Sequence, residues 1–319
     1  MSLFLGIDTS NYTTSVALYD ATEKKVIQSR RLLPVKEGER GIRQSDAVFH
    51  HTQQLRELLP KLLAENGSVS AVAVSVSPRR AEGSYMPCFT VGHTVAASVA
   101  AALSVPLYEV SHQEGHIAAA LFGAGRTDLL GRDCFAFHVS GGTTESLRVR
   151  QEGDNPVSAT LIGSSTDLKA GQAIDRVGLM LGLRFPCGPE LEKLARESAK
   201  TKKDFPELKV SMNGADCSLS GIENKCRDMQ NRGEPACDIA MFCLCSIEKA
   251  VEGMLKALPD EKLPVVFSGG VMSDMILQEQ LGQFCLSTGR EAVFTKPEFS
   301  SDNAAGVAIL ASIYGESND

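Results

Sequence analysis

The sequence predicts an α/β protein assembled from two related halves, and three observations carry that prediction. Helical and strand-like hydrophobic patterns alternate along the chain, as they do when helices pack on sheets. The 319 residues suffice for about two lobes of roughly 100 to 200 residues each, enough to bury a large core. A unit of strand, polar turn and strand occurs twice at corresponding places, which points to an internal duplication.

The first copy opens the chain. Leu3-Phe4-Leu5-Gly6-Ile7 is an apolar run, Asp8 to Thr13 a polar turn, and Thr14-Ser15-Val16-Ala17-Leu18-Tyr19 a second alternating run, so two antiparallel strands are expected. Asp46 to Asn66 carries Val48, Leu55, Leu58, Leu59, Leu62 and Leu63 at helical spacing. Val72 to Val76 reads as a buried strand, Phe89 to Leu103 as an Ala- and Val-rich helix packed on both sides, and Leu107 to Val110 as a strand. The second copy runs from Cys134-Phe135-Ala136-Phe137-His138-Val139 through Ser140-Gly141-Gly142-Thr143-Thr144 into Glu145-Ser146-Leu147-Arg148-Val149. A third extended segment and then helices follow each copy. Helices are expected over Gly171 to Leu181 and Pro189 to Arg196, separated by the turn Phe185-Pro186-Cys187-Gly188-Pro189. A long helix over Ala236 to Leu258, a short buried strand over Pro264 to Phe267 and the tight turn Ser268-Gly269-Gly270-Val271 complete the pattern.

The net charge of −7 argues against binding nucleic acid by electrostatics alone, which requires clustered Lys and Arg. A nucleic-acid substrate needs a local basic groove or a partner subunit. The nine cysteines are odd in number, sit in apolar or helical contexts and include no CxxC pair, so they read as reduced cytosolic thiols. The N-terminus enters a strand at once, and no stretch of 18 apolar residues occurs. A soluble, cytoplasmic protein that does not engage a membrane is therefore expected.

The most informative motif is Ser111-His112-Gln113-Glu114-Gly115-His116. Histidines four apart on a helix share a face and can hold one metal ion; the alternative is two half-exposed histidines opening a helix. Gly269-Gly270, after a strand and before a helix, is a ready phosphate or sugar cradle, because bare backbone can approach a ligand there; a close-packed turn is the alternative. Ser140-Gly141-Gly142-Thr143-Thr144 adds a second such turn with three hydroxyl side chains. Together they favour a nucleotide site, and the absence of GxxxxGK[ST] excludes a P-loop. His50 and His51 lie on different helix faces and read as solvated or partner-facing. Cys243 and Cys245 read as core thiols, and Lys200, Lys202 and Lys203 as a solvated loop.

With these residues in place the chain resembles the TsaD/Kae family, once called O-sialoglycoprotein endopeptidases. That family belongs to the actin, hexokinase and heat-shock-chaperone ATPase (ASKHA) superfamily. Gly6-Ile7-Asp8-Thr9-Ser10 resembles the opening phosphate hairpin, His112 to His116 the HxEGH metal motif, and Ser140-Gly141-Gly142 the second phosphate turn. Gly171-Gln172-Ala173-Ile174-Asp175-Arg176 is similar to GEAFDK, and Phe185 to Pro189 to YPGGP. Asp216-Cys217-Ser218-Leu219-Ser220-Gly221 resembles DFSFSG, Ser268 to Val271 AGGV, and Ser301-Asp302-Asn303-Ala304-Ala305 TDNAA. The ordered matches imply a two-lobed ASKHA fold with duplicated ribonuclease H-like subdomains: a first lobe over 1–131, a second over 132–300 with a helical insertion, and a C-terminal helix, 301–319, packing back on the first.

The resemblance implies a divalent metal on His112, His116 and Asp302. This donor set suits Fe or Zn, with Mg or Mn where phosphate oxygens complete the shell. It also implies an adenine nucleotide (ATP, AMP or threonylcarbamoyl-adenylate) lying between the lobes. The implied contacts are Asp8, Ser10, Ser140, Gly141, Gly142 and Thr143 for phosphate, and Asp175, Gly188, Glu192 and the turn Gly269, Gly270 to Asp274 for ribose and base. The implied reaction moves a threonylcarbamoyl group from the adenylate to N6 of adenosine 37 of tRNA, with a helper protein or a second copy of the chain as further partners.

The chain departs from the family at several reaction-side positions. Asn11-Tyr12-Thr13-Thr14 stands for Cys-Asp-Glu-Thr, so Tyr12 and Thr13 replace both acidic residues and no catalytic base is assigned. Thr143 replaces a histidine, Gln172 a glutamate and Asp274 an asparagine, while Ser45 and Phe49 stand where Glu and Arg are expected. A divergent paralog is the reading these changes suggest, one that binds an adenine nucleotide and either carbamoylates another acceptor or acts as a non-catalytic partner of a true synthase. HQEGH is not HExxH, so a zincin protease is the weakest reading.

Overall fold

The structure is a computed structural model that describes residues 2–10, 12–34, 42–199 and 210–316; the Lys200 to Lys203 run and Asn11 lie outside these. The chain divides into two compact units, Met1–Arg132 with Arg150–Ser158 and Ser301–Asp319, and Asp133–Val149 with Ala159–Ser300.

In the first unit, β1 (Leu3–Asp8), β2 (Thr13–Asp20) and β3 (Lys25–Leu32) form an antiparallel meander. Helix α1 (Gln44–Asn66) leads to β4 (Val69–Ser77), which pairs parallel with β1. Helix α2 (Phe89–Leu103) leads in turn to β5 (Leu107–Ser111), parallel with β4, giving the order β3-β2-β1-β4-β5. Strand alternation assigns the faces: Leu5, Ile7, Val16, Leu18, Val72 and Val74 pack with Leu55, Leu58, Leu59 and Leu62 of α1. Gly6 and Asp8 turn to the opposite face, where α3 (His112–Gly123) and α9 (Ala305–Glu316) lie. Every residue of α9 from Ala305 to Ser312 is buried, which explains a helix apolar on all sides. Helix α2 differs from expectation. Only Phe89, Gly92, Ala96 and Ala100 are buried, and the exposed Thr94 and Ser98 hydroxyls donate to the carbonyls four residues back.

The second sheet repeats this design. Its strands are β6 (Cys134–Val139), β7 (Thr144–Glu152), β8 (Asn155–Ser164), β11 (Val265–Ser268) and β12 (Ala292–Phe294). The order β12-β11-β6-β7-β8, with β6 antiparallel to β7 and β11 parallel to both β6 and β12, is the topology of the first sheet. Between β8 and β11 lie α4 (Ala170–Met180), α5 (Gly188–Ala199), the hairpin β9 (Ser211–Asn213) and β10 (Asp216–Ser218), α6 (Ser220–Asn231) and α7 (Ala236–Lys256). Helix α8 (Met275–Ser287) joins β11 to β12. Phe135, Phe137 and Phe267 are fully buried with Leu191, Leu244 and Ile247 in this core. Cys243 and Cys245 are free thiols, and Cys243 is buried. No helix among the described residues is long and apolar enough to cross a membrane.

His51 corrects the sequence reading: it is buried, on the face of α1 turned to the sheet, with Nδ1 hydrogen-bonded to Thr14 Oγ1 at 2.8 Å. Burial, opposed only in part by the nearby Asp8 charge, pushes its imidazole down to about 4 from 6.5. The unfolded chain takes up a proton below its pKa of 6.5, where the folded chain still refuses it. Stability is therefore complete above that value and falls with pH down to about 4, by about 3 kcal/mol in all. Urea unfolding at pH 7, 5 and 4 is expected to show this loss in the wild type and a flatter profile in His51→Gln; equal slopes would place the titration elsewhere.

Candidate metal centre and nucleotide pocket

Strand β5 ends at Ser111, which caps α3 with a reciprocal box. Ser111 Oγ accepts from Glu114 N at 3.3 Å, and Glu114 Oε2 accepts from Ser111 N at 2.6 Å. The other oxygen of Glu114 accepts from Arg80 Nε at 2.6 Å and Asn155 Nδ2 at 2.5 Å. Glu114 is buried and fully occupied in fixing the helix start, so it is no solvent-facing base of the zincin kind.

The cap sets His112 and His116 on successive turns, with their Nε2 atoms 2.9 Å apart. Asp302 Oδ1 lies 3.2 Å from His116 Nε2 and 3.6 Å from His112 Nε2. The three donor atoms fall within 4.8 Å of one another. Bonds of about 2.1 Å in a tetrahedral shell set ligand atoms about 3.4 Å apart, so the donors fit one borderline divalent ion such as Zn or Fe. Burial opposes a charge on His112, but Asp8 and Asp302 beside it outweigh this and push its imidazole up to about 10. Burial likewise works against ionised Asp302, yet His112 and His116 hold its carboxyl well below the usual range.

Asp302 is placed by the start of α9. Ser15 Oγ accepts from Ala304 N at 2.8 Å, Asn303 Oδ1 accepts from Ala305 N at 3.0 Å, and Arg30 Nη1 donates to Ser301 Oγ at 2.6 Å. Helices α3 and α9 then meet through glycine: a Cβ on Gly306 would overlap Gly115 O, and one on Gly115 would press on Val307. The glycine of HQEGH thus admits the helix that follows Asp302.

The other expected residues separate into two groups. Gly141, Asp175, Gly188, Glu192, Gly270 and Asp274 line one cavity of about 330 Å³ in the second unit, with Ile174, Pro186, Pro189 and Val271 as apolar walls. This is the composition of a small-molecule site. Asp175 Oδ1 accepts from Cys187 N at 2.9 Å, and Glu192 Oε1 from Met275 N at 3.2 Å. Asp274 caps α8, and burial, opposed by the Leu277 N–H and reinforced by Glu192, pushes its carboxyl up to about 6. Gly269 is the close-packed part of its turn, at φ 96° and against Val139, whereas Gly270 is open.

Ser140, Gly142, Thr143 and Gly269 are not in the cavity lining. Ser140 Oγ accepts from Thr143 N at 3.1 Å to close its own turn. Thr144 is buried and accepts from Ala170 N at 2.9 Å, so it braces α4 instead of offering a hydroxyl to phosphate. Asp8 and Ser10 are buried in the first unit beside His112. Tyr12 is 41% exposed and Thr13 is buried. Sequence reasoning missed Ser75, Arg80 and Asn155. Ser75 carries the one available signal, a hydroxyl inside the apolar run Ala71 to Val76.

Comparison with solved structures defines the fold. The nucleotide-bound full-length HypF superposes with TM-score 0.58 at 14% identity, covering 100% of this chain and 47% of HypF. The Acidaminococcus fermentans (R)-2-hydroxyglutaryl-CoA dehydratase component A gives 0.57 at 14%, covering both chains fully. A ROK family glucokinase from Streptomyces griseus gives 0.53 at 14%, covering 98% and 99%. The chain has the duplicated α/β fold of the ASKHA superfamily. The family model described as TsaD, tRNA N6-adenosine threonylcarbamoyltransferase, matches residues 24–309. The proteins of that name from two Thermus thermophilus strains are 34% identical over 309 residues, 96% of this chain and 91% and 90% of theirs. The chain belongs to the TsaD family.

Proposed function

We propose that this chain transfers a threonylcarbamoyl group from an adenylate donor to N6 of adenosine 37 in tRNA. The observation that carries this reading is the convergence of His112 Nε2, His116 Nε2 and Asp302 Oδ1 within 4.8 Å in a member of the TsaD family. A divalent metal held there would supply Lewis-acid polarisation and neutralise phosphate charge. The second-unit cavity takes the adenosine part of the donor: its walls Ile174 and Val271 suit a base, and the acceptor-only carboxylates Asp175 and Glu192 suit ribose hydroxyls. In the transfer, N6 bonds to the carbamoyl carbon, the bond from that carbon to the phosphate oxygen breaks, AMP leaves with the electron pair, and the proton that N6 loses passes to solvent water. Orientation, not covalent catalysis, is the chain's contribution. We infer a cytoplasmic setting, where tRNA is found, and a helper protein or a second copy of the chain as partner.

Replacement of the family's acidic pair by Tyr12 and Thr13 favours a second reading, a paralog that binds the nucleotide without turnover. Purified protein supplied with threonylcarbamoyl-adenylate and transcript tRNA decides between them: modified adenosine in the nuclease digest supports transfer, and nucleotide binding without it supports the paralog. Asp175→Ala is expected to weaken AMP binding about tenfold or more in calorimetric titration while leaving Zn²⁺ affinity unchanged; unchanged AMP affinity would remove the pocket assignment.

A further inference from the structure

We propose that Asp8 is a positioning residue of the metal centre, fixing the tautomer and aim of His112, and is not a phosphate contact. This inference rests on the metal reading above. It begins in strand register: β1 and β4 are parallel with Ile7 opposite Val74, so Asp8 and Ser75 follow side by side on neighbouring strands. Alternation turns Ile7 and Val74 into the core under α1, which turns Asp8 and Ser75 to the opposite face, toward α3. There Ser75 Oγ donates to Asp8 Oδ1, Ser10 Oγ donates to Oδ2 at 2.9 Å, and His112 Nδ1 meets Oδ2 at 3.1 Å. Asp8 is 0% exposed, so both oxygens are taken up by protein donors and neither reaches a solvent-borne phosphate.

An ionised carboxylate only accepts hydrogen bonds. His112 Nδ1 must therefore keep its proton, so a bound metal would take Nε2 in place of the second proton of the imidazolium, at the atom that faces His116 Nε2 and Asp302 Oδ1. A carboxylate behind a ligating imidazole raises its basicity and locks its ring, and removal of such a partner typically costs ten- to a hundredfold in metal affinity. Phe89, whose ring meets that of His112 edge-on with centroids 6.3 Å apart, supplies the apolar contact on another side. The residue read from sequence as part of a phosphate hairpin thus becomes the outer support of His112.

The test compares full-length wild type, Asp8→Asn and His116→Ala by Zn²⁺ titration against a chromophoric chelator and by the visible spectrum of bound Co²⁺. Asp8→Asn is expected to bind one equivalent about ten- to a hundredfold more weakly with an altered Co²⁺ spectrum, and His116→Ala to lose the site. Wild-type affinity and spectrum in Asp8→Asn, with the site lost in His116→Ala, would overturn the role of Asp8 and leave the metal centre standing. No metal uptake by the wild type would overturn both. Imidazole ¹⁵N shifts of the Zn²⁺-loaded wild type need no variant: protonated Nδ1 and metal-bound Nε2 at His112 are expected, and metal on Nδ1 would overturn the proposal even if Asp8→Asn does not fold.

Discussion

His116→Ala is expected to abolish stoichiometric Zn²⁺ or Fe²⁺ binding and, with it, threonylcarbamoyl transfer, while the protein stays folded. His116 is half-buried, and its Nε2 lies 2.9 Å from His112 Nε2 and 3.2 Å from Asp302 Oδ1, so its removal leaves two ligands where a stable site needs at least three. The loss should exceed the roughly hundredfold effect of an outer-shell partner. The cap at Ser111 and Glu114 is untouched by the substitution, so helix α3 keeps its start. Metal analysis after gel filtration, beside a circular dichroism melt, checks both halves; one retained equivalent of metal would remove His116 from the centre.

Gly306→Ala is expected to damage stability and metal affinity together, although the residue binds nothing itself. Its new methyl group would overlap Gly115 O, a backbone atom between the two histidines that cannot rotate away. Overpacking in a core typically costs 1–3 kcal/mol and is relieved by backbone shifts. The available shift is separation of α9 from α3, which carries Asp302 away from His112 and His116. Urea unfolding and chelator-competed Zn²⁺ titration should therefore both weaken, in contrast to an exposed control such as Ser98→Ala. Wild-type values in both assays would show that the helices need not meet so closely.

The duplicated α/β topology was legible because its signals are local. Two apolar runs around a polar turn specify each hairpin, and α1 announces itself by helical periodicity. The three side chains that converge within 4.8 Å were legible too, His112 and His116 by spacing and Asp302 through the resemblance of its segment. Burial was harder to read, because it depends on which layer covers a face. Helix α2 is apolar in composition yet half exposed, whereas His51 lies buried beside Thr14. Asp8 sits in a motif that resembles a phosphate hairpin, and only the pairing of β1 with β4 and the position of α3 reveal its hydrogen bonds to Ser75 and His112. Arg80 and Asn155 meet Glu114 from segments 34 and 41 residues away, a convergence that no local pattern encodes.

The most direct test of a metal-centred tRNA transferase is the yield of threonylcarbamoyladenosine on an unmodified transcript, measured against added metal. Metal-stripped protein with threonylcarbamoyl-adenylate and tRNA should give none, and the yield should rise with Zn²⁺ or Fe²⁺ to a plateau at one equivalent. Modification that ignores the metal, or no modification from fully loaded protein, would contradict the account.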